Sequence, residues 1–372
     1  MNIIISAGGT GGHIYPAIGI INKFKEKEKD VNVLYIGTHN RMEKDLIPAL
    51  GIRYEEIEIY GFSKTNIKRD IKNVYLIGKA IKKCKKLMEE FKPDVVIGVG
   101  GYVTMPVLYA AKKLGIKTVL HEQNSIPGKT NKILGNVDLA FVSYENSKKY
   151  FNKAKNVVYS GNPCGENALT TKKIKKETLG FKKNKKLLLI VAGSLGSQTI
   201  NNFFNNFLSL VDDEDNFDVL YITGKSYYDD FIKGKKYSKN VKVVPFVDNL
   251  SGLLKDVDLV ISRSGAGITS ELLALEIPSI LIPSPYVANN HQYYNALDLK
   301  EKNVSILIEE KDLDANKMFI IAKELLEENH EYLKMKENLS RLDMKNASSI
   351  IYEEIKKLVK WVNMDKFLKM LI

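Results

Sequence analysis

The sequence is poor in cysteine and histidine, and it has no hydrophobic run long enough to cross a membrane. Cys84 and Cys164 are its two cysteines, and there are five histidines in 372 residues. Two cysteines without metal-ligand spacing exclude a disulfide framework and a zinc site. No apolar run reaches the roughly 18 residues that a membrane span needs. The amino-terminal segment has no charged side chain before Lys23 and lacks the cleavage pattern of a secretory signal, which predicts a cytoplasmic protein.

Lysine, by contrast, is abundant, and the formal net charge is +12. Such a charge favours an anionic partner, which could be nucleic acid, an acidic membrane face or a phosphorylated small molecule. Residues 64–92 alone carry ten lysine or arginine residues against three acidic ones. No known nucleic-acid-binding module is present and the basic residues are not interleaved with aromatics, so no nucleic acid partner is predicted.

Short β-branched runs alternate with helical patterns through the first half of the chain, which is typical of βαβ units and a parallel sheet. The runs are "NIIIS" (2–6), "VNVLYI" (31–36), "DVVIGV" (94–99), "KTVLHE" (117–122), "DLAFVS" (138–143) and "NVVYSG" (156–161). The pattern restarts at "KLLLIV" and continues through "FDVLYITG", "VKVVPFV", "DLVISRSG", "IPSILIP" and "VSILIEE". We predict an α/β protein with two parallel-sheet domains.

A polar, lysine-rich segment, residues 164–186, has no apolar period and is interpreted as a connector near Pro163. The predicted domains are therefore residues 1–163 and 164–345. The last stretch, residues 346–372, repeats apolar residues with a helical period and predicts an amphipathic helix that packs back across the domain junction. A frayed tail is the alternative for this stretch.

A second amphipathic helix is predicted over residues 74–91, and its two faces suggest different roles. Its apolar stripe comprises Ile77, Ala80, Ile81, Cys84, Leu87, Met88 and Phe91 and is interpreted as core. Its lysines, which lie largely off the stripe, either contact an acidic membrane surface or form a solvated face; they are Lys79, Lys82, Lys83 and Lys86.

Three glycine-rich turns each follow a predicted strand and precede a predicted helix: "AGGTGGH" (7–13), "AGSLGSQ" (192–198) and "RSGAGITSE" (263–271). Such a turn presents unpaired backbone N–H groups and the positive end of a helix to an anion such as phosphate. A dinucleotide fingerprint is absent, because its third glycine, counted from Gly9, would fall at Ile14. The leading glycine of a P-loop is also missing before "GKT" (128–130) and "GKS" (224–226).

The motifs follow one another in a recognisable order. They are "GGTGGHIYP", "GVGGYVTMP", "HEQNSIPGKTNKIL", "SGNP", "AGSLGSQTIN", "FVDNL", "SRSGAGITSELLALEIPSILIP" and "HQYYNAL". In this order and spacing the chain resembles, from end to end, the bacterial peptidoglycan glycosyltransferases of family 28. Their architecture, called GT-B, has two Rossmann-like domains facing a cleft.

The resemblance implies an inverting transferase that moves N-acetylglucosamine (GlcNAc) from UDP-GlcNAc to lipid I, giving lipid II. Lipid I is undecaprenyl-pyrophosphoryl-N-acetylmuramoyl pentapeptide. The first domain would bind this acceptor and the second would bind UDP-GlcNAc. No cofactor is implied, and the enzyme would be peripheral at the cytoplasmic face of the membrane.

The resemblance also assigns binding roles to particular residues. In the second domain, Ser194 would lie beside the diphosphate, the backbone of Val247 against uracil, and Gln292 at the sugar hydroxyls. A helix start would wrap the ribose and diphosphate, with Glu271 accepting from the ribose; it comprises Ala266, Gly267, Ile268, Thr269, Ser270 and Glu271. The first domain would contribute Thr10, Gly11, Gly12 and Asn124.

An inverting transfer needs a base near the attacking hydroxyl and charge stabilisation at the diphosphate. His13 is the favoured base, because a neutral imidazole stands at the mouth of the first glycine turn. Glu122 is the rival, and a third interpretation has His13 only holding the turn. No metal site is predicted, because "DVD" (256–258) and "DLD" (312–314) have the positions of structural aspartates.

One position departs from the family pattern. Gly165 stands where the family usually has an arginine, so either Lys172 or Lys173 substitutes or the donor is bound more weakly. Alternative functions are another GT-B transferase of UDP-sugars, a UDP-GlcNAc epimerase, and a noncatalytic nucleotide-sugar binding protein.

Overall fold

Parallel strands alternate with helices along the chain, as predicted. The structure is a computed structural model that describes residues 1–62, 67–191 and 198–371. The strands are β1 (Asn2–Ala7), β2 (Asn32–Thr38), β3 (Arg53–Ile57), β4 (Val95–Gly100), β5 (Lys117–Glu122), β6 (Leu139–Val142), β7 (Val157–Tyr159), β8 (Lys186–Val191), β9 (Phe217–Ile222), β10 (Val241–Val244), β11 (Leu259–Ser262), β12 (Ser279–Leu281) and β13 (Ser305–Leu307). The helices are α1 (Gly11–Lys27), α2 (Glu43–Ala49), α3 (Ile67–Phe91), α4 (Thr104–Lys113), α5 (Lys129–Leu134), α6 (Pro163–Thr170), α7 (Gln198–Leu208), α8 (Tyr228–Ile232), α9 (Leu250–Leu254), α10 (Ala266–Ala274), α11 (His291–Glu301), α12 (Ala315–Leu326), α13 (His330–Arg341) and α14 (Ala347–Leu371).

The chain divides into two units, each built on one parallel sheet. The first unit comprises Met1–Glu166 with Asn346–Ile372, and the second comprises Asn167–Lys345. The first sheet has the order β3-β2-β1-β4-β5-β6-β7 and the second has the order β10-β9-β8-β11-β12-β13. The prediction of two Rossmann-like parallel sheets is confirmed. In each sheet the carboxyl ends of all strands lie at one edge, where ligands of open α/β sheets bind.

The central strands are apolar because helices cover both faces of each sheet. All six residues of β4 are buried, as expected for a parallel strand with both faces covered. On one face of the first sheet, Ile3 and Ile5 pack in a core with α1 and α14. On the other face, Ile4 packs in a core with α3 and α4.

Strand β3 is the one strand of the first sheet that the sequence did not predict. It lies at the edge of the sheet and pairs with β2 alone. Glu55 and Glu56 occupy its middle, where a buried strand would carry apolar residues. Charged residues are common on edge strands, because they oppose pairing with another chain.

The interpretation of residues 164–186 as a plain connector is wrong. Residues Pro163–Thr170 form α6, and Lys176–Leu179 form a 3-10 helix. The Cys164 N–H donates to Asn162 Oδ1 (3.0 Å), and Pro163 is the first helical residue, where its missing N–H costs nothing. The composition conceals this helix: five of its eight residues are buried, but they include a proline, a glycine and a glutamate and form no periodic apolar stripe.

Helix α14 packs against α1 within the first unit. Ile351 and Ile355 are fully buried in the same core as α1. The Tyr352 ring meets Phe24 edge-on, with centroids 5.1 Å apart. Its hydroxyl donates to Glu28 Oε1 (2.7 Å). The amphipathic helix predicted for the end of the chain is therefore part of the first core.

Helix α3 begins at Ile67, seven residues before the predicted start. Its apolar stripe is core, as predicted: Ala80, Cys84, Leu87 and Met88 are buried, and Ile77, Ile81 and Phe91 pack beside them. Burial raises the pKa of the Cys84 thiol to about 12, so this cysteine is an inert thiol. In the part of the chain that the structure describes, no helix is long and apolar enough to span a bilayer.

Candidate active site

The first glycine turn connects the end of β1 to the start of α1, at the carboxyl edge of the first sheet. Gly9 has a φ of +95°, a backbone conformation that favours glycine. Thr10 is the extended N-cap residue, and its carbonyl accepts from the His13 N–H (3.1 Å). The first N–H groups of a helix have no partner within that helix. The turn thus places Thr10, Gly11 and Gly12 where backbone amides can meet an anion.

His13 is held by this turn and by the end of β4. Its Nδ1 lies 3.1 Å from the Gly8 carbonyl oxygen, so we assign the N–H to Nδ1 and the lone pair to Nε2. The Gly8 N–H donates to the Gly100 carbonyl (3.2 Å), which ties β1 to β4. A Cβ atom at Gly100 would lie 2.5 Å from His13 Cδ2. The imidazole therefore rests on backbone that has room only for glycine.

Glu122 ends β5 and is enclosed by hydrogen-bond donors. Its Oε1 accepts from the backbone N–H of Asn124 (2.9 Å) and from Asn124 Nδ2 (3.3 Å). Its Oε2 accepts from Asn131 Nδ2 (2.8 Å) and from the Gly128 N–H (3.3 Å). Burial raises the pKa of Glu122, and these hydrogen bonds oppose the shift. At 1% exposure, the carboxyl group organises the loop that carries Asn124.

The other residues of "HEQN" connect β5 to its neighbours. Gln123 Nε2 donates to the Val99 carbonyl of β4 (2.6 Å) and lies 2.9 Å from His121 Nδ1. His121 Nε2 lies 3.1 Å from the Gly161 carbonyl oxygen, which makes Nε2 the protonated nitrogen. Burial lowers the pKa of His121 to about 4, so the ring is neutral near pH 7. The ends of β1, β4 and β5 thus form one connected network that includes His13 and Asn124.

The third glycine turn joins β11 to α10 in the second unit. Gly265 is the extended N-cap residue, and a Cβ atom at Gly265 or Gly267 would meet no described atom within 4 Å. Open space around these backbones is what close approach of a ligand requires. The side chains of Thr269 and Ser270 donate back to the helix, to the carbonyls of Gly265 (3.0 Å) and Gly267 (2.7 Å) respectively. Their hydroxyls therefore stabilise the turn.

Glu271 is half-buried one turn into α10. Its Oε1 accepts from Ser251 Oγ (2.7 Å), which belongs to α9. Burial raises the pKa of Glu271 to about 7, and the hydrogen bond from Ser251 opposes this shift. The carboxyl group therefore titrates near neutral pH. A perturbed group of this kind beside a glycine turn marks a candidate binding position.

Two further residues that are predicted to bind the sugar nucleotide, Val247 and Gln292, lie in the second unit. Val247 is in the loop after β10, and neither its N–H nor its carbonyl has a hydrogen-bond partner among the residues that the structure describes. Gln292 is the second residue of α11. Its Oε1 accepts from the Ser284 N–H (2.9 Å), and its carbonyl accepts from Ser264 Oγ (2.8 Å). Ser264 thus joins Gln292 to the third glycine turn. Ser194 and the second glycine turn lie outside the described residues.

Sequence reasoning missed the role of Arg263. This buried side chain pairs with Glu310 Oε2 (2.5 Å) and donates to the carbonyls of Ile282 (3.3 Å) and Pro283 (3.2 Å). It thereby fixes the end of β12 relative to the third glycine turn. The signal was a single arginine between a strand of apolar residues and a glycine turn, which is where a charged residue needs a buried partner.

Both aspartates of "DVD" form hydrogen bonds or ion pairs with other residues of the chain. Asp256 accepts from the Lys176 N–H (2.8 Å) and pairs with Lys173 (2.6 Å), while Asp258 accepts from the Leu187 N–H (2.8 Å). Lys173 is therefore occupied and is a poor substitute for the arginine that Gly165 replaces. Lys172 is exposed, and its ammonium group has no partner within the described part of the chain.

Known proteins resemble the chain over nearly its full length. The model of the glycosyltransferase family 28 N-terminal domain matches residues 3–140, and that of the family's C-terminal domain matches residues 187–351. A Bacillus cytotoxicus protein is 41% identical over 97% of this chain and 100% of its own length. A Caldanaerobacter subterraneus protein is 42% identical over 96% of this chain and 99% of its own.

Both relatives are named UDP-N-acetylglucosamine--N-acetylmuramyl-(pentapeptide) pyrophosphoryl-undecaprenol N-acetylglucosamine transferase. The crystal structure of Acinetobacter baumannii MurG superposes with a TM-score of 0.75 at 23% identity, over 96% of this chain and 99% of that one. At this identity the structure supports the fold alone. From the two domain matches and the two relatives, the chain belongs to glycosyltransferase family 28.

Proposed function

We propose that the chain is an inverting transferase that moves GlcNAc from UDP-GlcNAc to lipid I, giving lipid II in peptidoglycan synthesis. The observation that carries this function is 41% identity along the whole of a relative that is named for this reaction. The fold alone would not choose it, since one fold hosts many activities. The chemistry of the site in the first unit agrees with it.

In the proposed reaction, an acceptor hydroxyl attacks the anomeric carbon of the donor sugar. The new bond joins the acceptor oxygen to that carbon, the bond from the carbon to UDP breaks, and UDP leaves with the electron pair. His13 Nε2 takes the hydroxyl proton, because Nδ1–H is committed to the Gly8 carbonyl. That same hydrogen bond stabilises the imidazolium that forms. Glu122 has both oxygens enclosed, so it is a positioning residue in this proposal.

The leaving UDP carries negative charge that the second unit would stabilise with backbone amides. The start of α10 supplies N–H groups and the positive end of a helix. Glu271 would accept from a ribose hydroxyl, the Val247 backbone would face uracil, and Gln292 would reach the sugar. Ser194 keeps its predicted role beside the diphosphate. Because the "DVD" aspartates bind lysine and backbone, we propose a transfer that uses no metal ion.

The acceptor's lipid tail brings the enzyme to the acidic cytoplasmic face of the membrane. Ile71, Val74 and Tyr75 of α3 are between 61% and 73% exposed and recur at the spacing of one helix face. Lys68 and Lys82 fall on the same face by helical periodicity. The sequence pointed to lysines only and missed this apolar surface. Lys83 is occupied by the Glu56 carbonyl (2.7 Å), so it contributes less than predicted.

A transfer assay tests the reaction and separates the alternatives. Purified protein is given radiolabelled UDP-GlcNAc and lipid I, with and without EDTA, and lipid II is separated and counted. We expect equal product with and without chelator. An epimerase would alter the donor sugar without acceptor, another transferase would label a different acceptor, and a noncatalytic binder would retain UDP-GlcNAc without product. Any of these results, or abolition by EDTA, contradicts the proposal.

A further inference from the structure

We propose that a cleft between β3 and α3 binds the peptide of the acceptor, an inference that rests on the proposed function. The cleft has a volume of about 290 Å³ and lies wholly in the first unit. Its polar and apolar lining includes His39, Glu56, Glu58, Leu76, Lys79 and Lys83. This volume is near the lower end of the range for ligand pockets, about 300–1,000 Å³, so it would hold part of a pentapeptide.

The cleft is linked to the first glycine turn by a chain of contacts through Thr38 and Glu43. His39 follows Thr38, the last residue of β2. The N–H and hydroxyl of Thr38 both donate to Glu43 Oε1, at 3.2 and 2.6 Å. The same oxygen packs so closely against Gly8 that a Cβ there would collide with it. Because the Gly8 carbonyl holds His13, an acceptor sugar at His13 would have its substituents near this cleft.

His39 lines the cleft and carries a buried hydrogen-bond acceptor. Its Nε2 lies 3.3 Å from Tyr60 Oη, which donates in turn to Glu58 Oε1 (3.2 Å). Tyr60 Oη therefore accepts from Nε2–H, and the lone pair is on Nδ1. Nδ1 is buried and has no hydrogen-bond partner among the described residues. A peptide N–H is a donor of the kind that this nitrogen lacks.

The charges of the cleft leave Lys79 for a ligand carboxylate. Of the two carboxylates that line it, Glu56 pairs with Lys44 (3.2 Å) and Glu58 with Lys72 (3.7 Å). Lys83 is occupied by the Glu56 carbonyl (2.7 Å). Lys79 Nζ has no hydrogen bond or ion pair with any described residue. A peptide attached to the muramyl group by its amino end has a free carboxylate, which Lys79 would bind.

Two acceptors and a matched pair of variants test this site. The acceptors are lipid I and the same lipid-linked muramoyl sugar without its peptide. Lys79→Gln removes the proposed carboxylate contact, and Lys82→Gln is the control on the same helix, because Lys82 does not line the cleft. For Lys79→Gln we expect the KM for lipid I to rise about five- to tenfold, and the KM for the peptide-free acceptor to stay unchanged. Lys82→Gln should leave the ratio of the two KM values as in the parent.

A binding measurement checks the site without the reaction. Water-soluble N-acetylmuramoyl pentapeptide is titrated into the protein and followed by NMR. His39→Phe keeps the aromatic contact with Tyr60, whose ring centroid is 5.4 Å from that of His39, but removes both nitrogens. We expect His39→Phe and Lys79→Gln each to weaken binding at least fivefold relative to Lys82→Gln.

The outcomes separate the peptide site from the reaction. Equal KM changes for both acceptors, or pentapeptide binding unaffected by both cleft variants, would overturn the site while leaving the transferase intact. If the parent protein transfers GlcNAc to neither acceptor, the proposed function itself is wrong. Binding of the soluble pentapeptide that depends on Lys79 and His39 would support the cleft even then.

Discussion

At the scale of single residues, the site depends on the tautomer of His13. The Gly8 carbonyl accepts from Nδ1 and leaves Nε2 as the basic nitrogen. We predict that His13→Ala lowers kcat by about 10²–10⁴, the usual contribution of a general base. Steady-state transfer to lipid I measures it. Activity within a few-fold of the parent would limit His13 to holding the turn.

Glu122→Gln is the companion experiment, because it distinguishes the rival base. Two of the four donors to Glu122 are backbone N–H groups that cannot reorient. In Glu122→Gln an NH₂ group replaces one carboxylate oxygen, and this group cannot accept the hydrogen bonds that the oxygen accepted. We expect the free energy of unfolding to fall by about 1–3 kcal/mol, with kcat of the folded protein reduced far less than in His13→Ala. Urea unfolding and kcat are measured on the same preparation. A kcat loss equal to that of His13→Ala would make Glu122 the base.

Glu271 gives the donor site a predicted pH dependence. Burial holds its pKa at about 7, so the carboxyl group is protonated below that pH and ionised above it. The ionised form accepts more strongly from a ribose hydroxyl. We predict that affinity for UDP-GlcNAc rises between pH 6 and 8, by up to about tenfold, the change in ionised fraction for this pKa. Isothermal titration calorimetry measures it, and Glu271→Gln should flatten the dependence.

The same raised pKa has a defined effect on stability. Between the ordinary value of 4.5 and about 7, the folded protein binds more protons at Glu271 than the unfolded chain does. The contribution of this group to the free energy of unfolding is therefore full below pH 4.5 and is lost as pH rises through 7.

An affinity for UDP-GlcNAc that falls with pH in the parent would contradict both the assigned ionisation and the ribose contact.

At the scale of elements, the sequence predicted the strands and helices that follow a repeating apolar pattern. It missed those that depend on contacts with other parts of the chain. Strands such as β4 were predictable because burial on both faces requires a continuous apolar run. Strand β3 was not, because its charges read as a loop until β2 supplies the pairing. Helix α6 was missed for a similar reason: its cap by Asn162 is a contact of a few atoms, which composition does not reveal.

The candidate site shows the same division. Glycine turns followed by helices are local patterns, so the sequence alone predicted the first and third turns. The enclosure of Glu122 and the ion pair of Arg263 with Glu310 join residues distant in sequence. Such contacts depend on strand order, which no single turn specifies. The acceptor nitrogen of His39 was missed likewise, because Tyr60 and Glu58 determine its tautomer.

The turn after β4 is an element whose effect on His13 can be tested. Gly100 has a φ of +122°, and a Cβ there would lie 2.5 Å from His13 Cδ2. We predict that Gly100→Ala lowers kcat at least tenfold, because it displaces the imidazole, and costs about 1–3 kcal/mol of stability through backbone strain. Gly115→Ala is the control, with a φ of +67° and no atom within 4 Å of the added carbon. It should lose stability without losing kcat; equal kcat for both variants would contradict the coupling.

At the scale of the whole molecule, the proposed membrane contact combines the excess of positive charge with the exposed face of α3. Each lysine near an acidic bilayer contributes about 1 kcal/mol, and the apolar side chains add area that salt does not screen. We predict that replacing Ile71, Val74 and Tyr75 by serine weakens binding to acidic vesicles at both low and high salt. Replacing Lys68 and Lys82 by glutamate should weaken it at low salt only.

Vesicle sedimentation measures both sets. Ile133→Ser, at a residue 78% exposed on α5, is the control for loss of a surface apolar side chain elsewhere in the first unit. Partitioning that is unchanged by the α3 substitutions, or equally reduced by Ile133→Ser, would remove this face as the membrane contact.

The division of the chain has a consequence for how the molecule can be taken apart. The first unit needs Asn346–Ile372 as well as Met1–Glu166, whereas the second is one continuous segment, Asn167–Lys345. Ile351 and Ile355 are fully buried against α1. A fragment of residues 1–166 therefore exposes the apolar face that α14 covers. We predict that residues 167–345 unfold cooperatively on heating, whereas residues 1–166 do so only with residues 346–372 added in trans.

Circular dichroism melts of the fragments test this prediction. Point variants in the full chain measure how much the packing of α14 contributes to the free energy of unfolding. Ile355→Ala should cost about 2–5 kcal/mol, as for other buried isoleucines. Ile320→Ala, at a residue 54% exposed on α12, should change stability by less than about 0.5 kcal/mol. If residues 1–166 alone melt cooperatively at the temperature of the full chain, α14 is an accessory to the first core. If they do not, the first glycine turn, which holds Gly8 and His13, depends on a helix more than 300 residues away in sequence. Truncation of the carboxyl end would then abolish transfer without changing any residue of the proposed site.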